Sequence, residues 1–175
     1  MQIACHALVD VAGVVLSRAV VLPGGHNERI AAMKEKKDKK KVLFICTQNS
    51  ARSQIAEGIL RSLHGDLYEV FSAGTEPSTV NPYAIRVCEE IGIDISNQRS
   101  KNVDELKGTH FDYIITVCDH AREACPFFPG DGVRIHKGFE DPAGISDSGK
   151  AALDMFRETR DEIMDWIKTE VVKYT

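Results

Sequence analysis

Lys41-Val42-Leu43-Phe44-Ile45-Cys46-Thr47-Gln48-Asn49-Ser50-Ala51-Arg52-Ser53 opens with four consecutive apolar residues and continues into a run of small and polar ones. Apolar residues that follow one another without alternation mark a strand buried on both faces, as in a parallel sheet. Downstream, Ile55, Ala56, Ile59, Leu60 and Leu63 recur at helical spacing, and Gly65 closes that segment. Cys46 therefore falls where a strand ends, and Arg52-Ser53 where a helix begins. The order strand, loop, helix is the first half of a crossover unit whose partner strand lies parallel.

The alternation continues along the chain. Leu67 to Ala73 reads as a second strand, Phe111 to Val117 as a third and Val133 to His136 as a fourth. Asn81-Pro82 starts a helix, with asparagine as cap and proline in the first turn, and Ile85, Cys88 and Ile91 form its apolar face before Gly92. The last helix is expected to start near Ser146 to Ser148, with Ala152, Met155, Phe156, Thr159, Ile163, Trp166 and Ile167 as its inner stripe. The expected fold class is α/β: a single domain with a four-stranded parallel sheet and helices on both faces. In such sheets ligands sit beyond the carboxyl ends of the strands. Cys46, Cys118 and Asp141 all follow strand ends, so the topology brings them to one edge.

Residues 1–40 differ from the rest and are expected to form a poorly ordered extension ahead of the domain at 41–175. The segment Lys34 to Lys41 carries six lysines, a pattern of a solvated lead-in, and Met33 just before it would be a natural start. Cys5 and His6 lie in this extension and no metal role is expected for them. The apolar stretch Leu8 to Leu22 is broken by Asp10, Gly13, Ser17 and Arg18, too short and interrupted for a bilayer span or a secretory leader.

The formal net charge is -4, from 22 basic and 26 acidic residues. That balance excludes a broad basic surface for nucleic acid, so an anion site must be a local arrangement. Cytoplasmic localisation is expected, without membrane association, as a monomer. The five cysteines are an odd number; with no leader, redox or nucleophilic use of thiols is a better reading than a disulfide framework. Cys88 is the exception, expected to pack in the core.

Five residues separate Cys46 from Arg52. That spacing lets the backbone of Thr47, Gln48, Asn49, Ser50 and Ala51 curl into a cradle of inward N–H groups, with the following helix adding its positive end. Arg52 can close over a tetrahedral anion with paired hydrogen bonds. Ser53 can donate to the sulfur and Asn49 can brace the loop. The field of this cradle is expected to favour the Cys46 thiolate.

Cys46 to Ser53 is similar to the phosphate-binding loop shared by low-molecular-weight protein tyrosine phosphatases and thioredoxin-coupled arsenate reductases, and the resemblance extends over roughly residues 41 to 172. The loop alone does not choose between these activities. Cys118-Asp119-His120-Ala121-Arg122-Glu123-Ala124-Cys125 does, because it looks like the redox segment of the reductases. So do Val80-Asn81-Pro82, Asp94-Ile95-Ser96-Asn97 and Gly138-Phe139-Glu140-Asp141-Pro142-Ala143. Reduction of arsenate needs two electrons, which a second thiol supplies by forming a disulfide.

The resemblance implies a relay through Cys46, Cys118 and Cys125, a redox disulfide between Cys118 and Cys125, arsenate as substrate and thioredoxin as partner. It places the general acid at Asp141. Glu140 beside it would face elsewhere in an extended stretch. His120 and Arg122 are candidates for activating Cys118, though exposed charge explains them as well. A helix from Cys118 to Cys125 would hold the two thiols about 10 Å apart along its axis, beyond the ~7 Å between Cα atoms that a disulfide allows. Either the segment is looped already or it unwinds on oxidation; the resemblance implies unwinding. The alternative activity is that of a phosphatase using only Cys46, Arg52 and Asp141.

Three positions depart from the family pattern. Lys137 stands where members often carry tryptophan. Many members bind potassium through an asparagine, a glutamate, a serine and an aspartate; Asn49, Glu57 and Ser72 match the first three, but Lys101 stands at the fourth. These residues are only weak potassium candidates, and no metal and no other cofactor is expected. Ala51 replaces a further loop cysteine of some relatives.

Overall fold

The computed structural model describes residues 38–124, 128, 130–144 and 149–174, all within one unit, Lys37–Thr175. Apart from residues 38–40, the extension expected at 1–40 lies outside the described residues, as does Cys125. Four parallel strands form one sheet in the order β2-β1-β3-β4. They are β1 (Lys40–Cys46), β2 (Tyr68–Gly74), β3 (Tyr113–Thr116) and β4 (Val133–His136). The helices are α1 (Arg52–His64), α2 (Pro82–Glu89), α3 (Asp119–Ala124) and α4 (Lys150–Thr169).

β1 is central. It pairs with β2 from Lys40↔Tyr68 to Cys46↔Gly74 and with β3 from Val42↔Tyr113 to Ile45↔Thr116. Val42, Leu43, Phe44 and Ile45 are all fully buried. Successive strand side chains point to opposite faces, so both faces of β1 are covered. The strand begins at Lys40, inside the stretch assigned to the extension, because the Lys40 amide donates to the Leu67 carbonyl (3.0 Å) and starts the ladder.

β3 is shorter than its apolar run. Phe111 stays buried but lies outside the ladder, whereas the buried Val117, just past the strand, still donates its amide to Ile45 O (2.9 Å). Phe111 instead anchors an aromatic cluster, edge-on to Phe71 (centroids 5.4 Å apart) and to Phe128 (5.7 Å). β4 is an edge strand, and Val133 is 54% exposed.

α2 starts as Asn81-Pro82 predicts, the Asn81 side chain accepting from the Tyr83 amide at 2.8 Å. α1, α2 and α4 pack on one another. Leu63, expected on the inner face of α1, is 40% exposed. α4 begins at Lys150 after Gly149, while Ser146 to Ser148 lie outside the described residues. Its inner stripe holds Ala152, Phe156, Thr159, Ile163 and Ile167 as expected, and adds Leu153 and Arg160. Arg160 donates to the Val87 carbonyl (2.9 Å), satisfying an end group of α2.

Candidate active site

The carbonyl end of β1 runs into the loop Cys46–Ala51, and the loop's shape follows from where its carbonyls go. Cys46 O accepts from Thr75 N (3.3 Å), Thr47 O from Glu76 N (2.9 Å), Gln48 O from Ser78 N (3.1 Å), Ser50 O from Asn81 N (2.8 Å) and Ala51 O from Ile55 N (2.9 Å). Asn49 O accepts from the Gln54 side chain at 3.0 Å. Every carbonyl of the loop is thus tied outward. In a trans peptide the N–H points opposite to the C=O, so the loop amides line the concave side. Ala51, at the N-cap of α1, gives the helix no side-chain cap, which leaves the helix amides available to an anion.

Two backbone features make the curl possible. Asn49 holds φ 47°, the left-handed region, which asparagine tolerates better than most residues. Gly74, opposite on β2, leaves room for the loop: a Cβ there would sit 2.5 Å from Thr47 O and 2.9 Å from Asn49 N.

Cys46 is 2% exposed beneath this loop. Its sulfur lies 2.9 Å from Ser53 Oγ and accepts from the Asn49 amide at 3.1 Å. Burial nonetheless pushes the thiol up from its ordinary value. The Ser53 hydroxyl and the Asn49 amide pull the other way, and nearby Cys118 adds to the rise. The expected preference for the thiolate is therefore reversed: desolvation outweighs the donors. Burial likewise pushes the Cys88 thiol up to about 12, as suits the core packing expected for it.

Arg52 leans toward the loop after β4. Its guanidinium donates to Phe139 O (3.1 Å) and pairs with the Asp141 carboxylate (3.0 Å). The Arg52 side chain is 11% exposed and that of Asp141 48%, so Asp141 sits at the solvent side of the cradle beside Arg52. An incoming oxyanion must compete with this carboxylate for the guanidinium.

Cys118 ends the β3 segment and is buried. Its sulfur lies 3.4 Å from Thr47 Oγ1, a residue of the loop itself, and accepts from the Ala121 amide at 3.4 Å. α3 runs from Asp119 to Ala124, so the segment toward Cys125 is helical over the described part. His120 Nδ1 lies 3.4 Å from the same Thr47 hydroxyl, whereas Arg122 is exposed. His136 Nε2 lies 3.0 Å from Asp119 Oδ1, tying the start of α3 to β4.

Asn49, Glu57 and Ser72 do come together, but as a hydrogen-bonded chain that does not suit a cation. Asn49 Oδ1 is taken by the Lys101 amide (2.9 Å). Its Nδ2 therefore faces Ser53 (2.8 Å) and Ser72 (2.9 Å), presenting hydrogens where a cation would need an oxygen. The Lys101 ammonium stands 3.6 Å from Glu57 Oε2. The residues present do not fit a potassium ion.

Some supporting residues carried no recognisable sequence signal. Gln54, fully buried, bridges Asn49 O and Arg99 O. Ser100 Oγ donates to Gln48 O (2.9 Å). Gly74 could have been suspected from a glycine ending a strand beside an anion loop.

The model of the low molecular weight phosphotyrosine protein phosphatase family matches residues 41–170. An arsenate reductase of Halalkalibacterium halodurans is 44% identical over 132 residues, 75% of this chain and 95% of that protein. A solved arsenate reductase in its oxidised state superposes with a TM-score of 0.67 at 33% identity, covering 78% of this chain and 99% of the other. The low molecular weight protein tyrosine phosphatase of T. tengcongensis gives a TM-score of 0.62 at 28% identity, over 77% and 99%. With residues 41–170 matched by the family model and three quarters of its length matched by a relative 44% identical, the chain belongs to the low molecular weight phosphotyrosine protein phosphatase family.

Proposed function

We propose that the protein reduces arsenate to arsenite, with Cys46 as nucleophile and Cys118 and Cys125 as the electron relay. The observation that carries this reading is the place of Cys118, whose sulfur lies 3.4 Å from the hydroxyl of Thr47 in the anion loop. A phosphatase has no use for a second thiol there.

Arsenate enters the cradle, held by the loop amides and by Arg52 once that residue leaves Asp141. The Cys46 thiol gives its proton to an oxygen of the bound arsenate as its sulfur attacks arsenic, an As–O bond breaks, and Asp141, protonated from solvent, gives its proton to the departing hydroxide, which leaves as water. Arg52 and the amides stabilise the charged adduct. The Cys118 thiolate then attacks the Cys46 sulfur. The S–As bond breaks with its electron pair going to arsenic, so As(V) becomes As(III), arsenite leaves, and a Cys46–Cys118 disulfide forms. Cys125 attacks Cys118, Cys46 departs as thiolate, and the disulfide becomes Cys118–Cys125. A thioredoxin dithiol reduces it, which suits the thiol-reducing cytoplasm, with the chain acting as a monomer.

The Ser53 hydroxyl, 2.9 Å from the Cys46 sulfur, supports the same scheme, because it can donate to that sulfur as a thiolate. Among the described residues no helix is long and apolar enough to cross a membrane. The test is arsenite formation with thioredoxin, thioredoxin reductase and NADPH. Cys118→Ser is expected to stop arsenite release while leaving slow hydrolysis of p-nitrophenyl phosphate. Multiple turnover by that variant at the wild-type rate would refute the relay and leave the phosphatase reading.

A further inference from the structure

Glu57 is a buried acid that the scheme above does not use. It is 7% exposed, on the first turns of α1, and it accepts the Ser72 hydroxyl at 2.6 Å. Two cations face it: Arg61 at 2.9 Å and Lys101 at 3.6 Å. The Arg61 side chain is 45% exposed and that of Lys101 14%. Solvent screens the arginine far more, so the lysine is the less screened counter-charge. The other charged groups around the same cavity of about 490 Å³ are Asp94 and Arg99. Arg99 is paired with Glu105 (2.6 Å), and Asp94 accepts from the Ser96 amide (2.8 Å).

Donors and acceptors then diverge from the Asn49 amide, toward Glu57 on one side and Cys46 on the other. The Lys101 backbone amide occupies Asn49 Oδ1, which orients both hydrogens of the Asn49 amide toward Ser72 and Ser53. The Ser72 hydrogen is committed to Glu57 as long as Glu57 is a carboxylate. Ser53, having accepted from Asn49, keeps its own hydrogen for the Cys46 sulfur 2.9 Å away. An ion pair from the Lys101 ammonium to Glu57 and hydrogen bonds from Glu57 onward link the lysine to the reacting sulfur.

We propose that Lys101 is a positioning residue for the Cys46 thiolate: its ammonium holds the Glu57 side chain against Ser72, and its amide and Glu57 together orient Asn49 so that Ser53 donates to the sulfur. This rests on Cys46 being the attacking thiol. With the ammonium removed, Glu57 keeps only its pair with Arg61 and its second oxygen is no longer held toward Ser72. Ser72 loses its fixed acceptor, and the donor aimed at the sulfur loses its support. A charged-group hydrogen bond contributes enough to move a thiol's titration by about one unit, a tenfold change.

The test is alkylation of Cys46 by iodoacetamide across a pH series, followed by mass spectrometry of its peptide, beside kcat and KM for arsenate. Lys101→Met is expected to raise the alkylation midpoint by about one unit and to lower kcat about tenfold at neutral pH with little change in KM. Lys101→Arg keeps the charge and is expected to stay near the wild type. Lys101→Ala opens the cavity beside Glu57, and methylammonium ions are expected to restore its midpoint. An unshifted midpoint in folded Lys101→Met overturns the proposal, as does a shift that neither arginine nor methylammonium reverses. Cys46→Ser separates the two claims. If that variant still reduces arsenate, the nucleophile assignment falls; if it is inactive and Lys101→Met is unshifted, only the role of Lys101 falls.

Discussion

Replacing Gly74 by alanine would place a methyl group against the backbone of the anion loop. The new Cβ would lie 2.5 Å from Thr47 O, 2.9 Å from Asn49 N and 3.0 Å from Asn49 Cβ. Ordinary contacts begin near 3.4 Å, so the Thr47 carbonyl would have to retreat by about 0.9 Å. It cannot do so freely, because it accepts from the Glu76 amide at 2.9 Å and its side chain lies against Cys118. Overpacking of this kind costs about 1–3 kcal/mol of stability. Its effect on reaction should be larger than that suggests, because a misplacement near 1 Å costs about 100-fold in rate. Gly74→Ala is therefore expected to lower kcat/KM for arsenate about 100-fold while the protein stays folded. Gly108→Ala serves as control. Gly108 has φ +87° with nothing within 4 Å, so alanine there is strained without touching the loop, and activity should hold. If Gly74→Ala reduces arsenate within threefold of the wild type, the claim that this glycine makes room for the cradle is wrong.

Asp141→Asn should weaken the hold on Arg52 and let phosphate bind more tightly by calorimetry, while kcat falls about 100-fold or more through loss of the acid; unchanged phosphate affinity would mean that the Arg52–Asp141 pair imposes no competition. Because burial raises the Cys46 thiol, its thiolate fraction grows as pH rises, and alkylation at Cys46 should keep climbing above the ordinary thiol value near 8.5. A plateau reached below neutral pH would contradict the burial argument. Phe111→Ala, which removes the centre of the Phe71–Phe111–Phe128 cluster, should cost about 3–5 kcal/mol in urea unfolding, and a loss below 1 kcal/mol would show the cluster to be peripheral.

The sheet was legible because Val42 to Ile45 could only be a strand covered on both sides, and the cradle because a cysteine and an arginine flank five residues between strand and helix. Asn81-Pro82 stated its own helix start. What the sequence did not reveal depends on partners distant along the chain. The reach of Lys101 to Glu57 joins residues on different elements, and only the fold turns a substituted cation-ligand position into a counter-charge. The preference for a neutral Cys46 comes from burial depth, which the loop pattern does not encode. β3 stops short of Phe111 because burial and strand pairing are separate requirements, and an apolar run signals only the first. Lys40 was misassigned for the converse reason: a charged residue can start a ladder by its backbone alone.

The outward anchoring of the loop carbonyls also bears on how this site comes into being. Their donors arrive from Thr75, Glu76, Ser78 and Asn81, more than two dozen residues later in synthesis than the nucleophile. A nascent chain that has exposed Cys46 but not yet its second strand and second helix would carry the sulfur without the trap. The anion-gripping shape is thus a product of the completed domain, and a short peptide spanning residues 41–53 should show no affinity for arsenate at all.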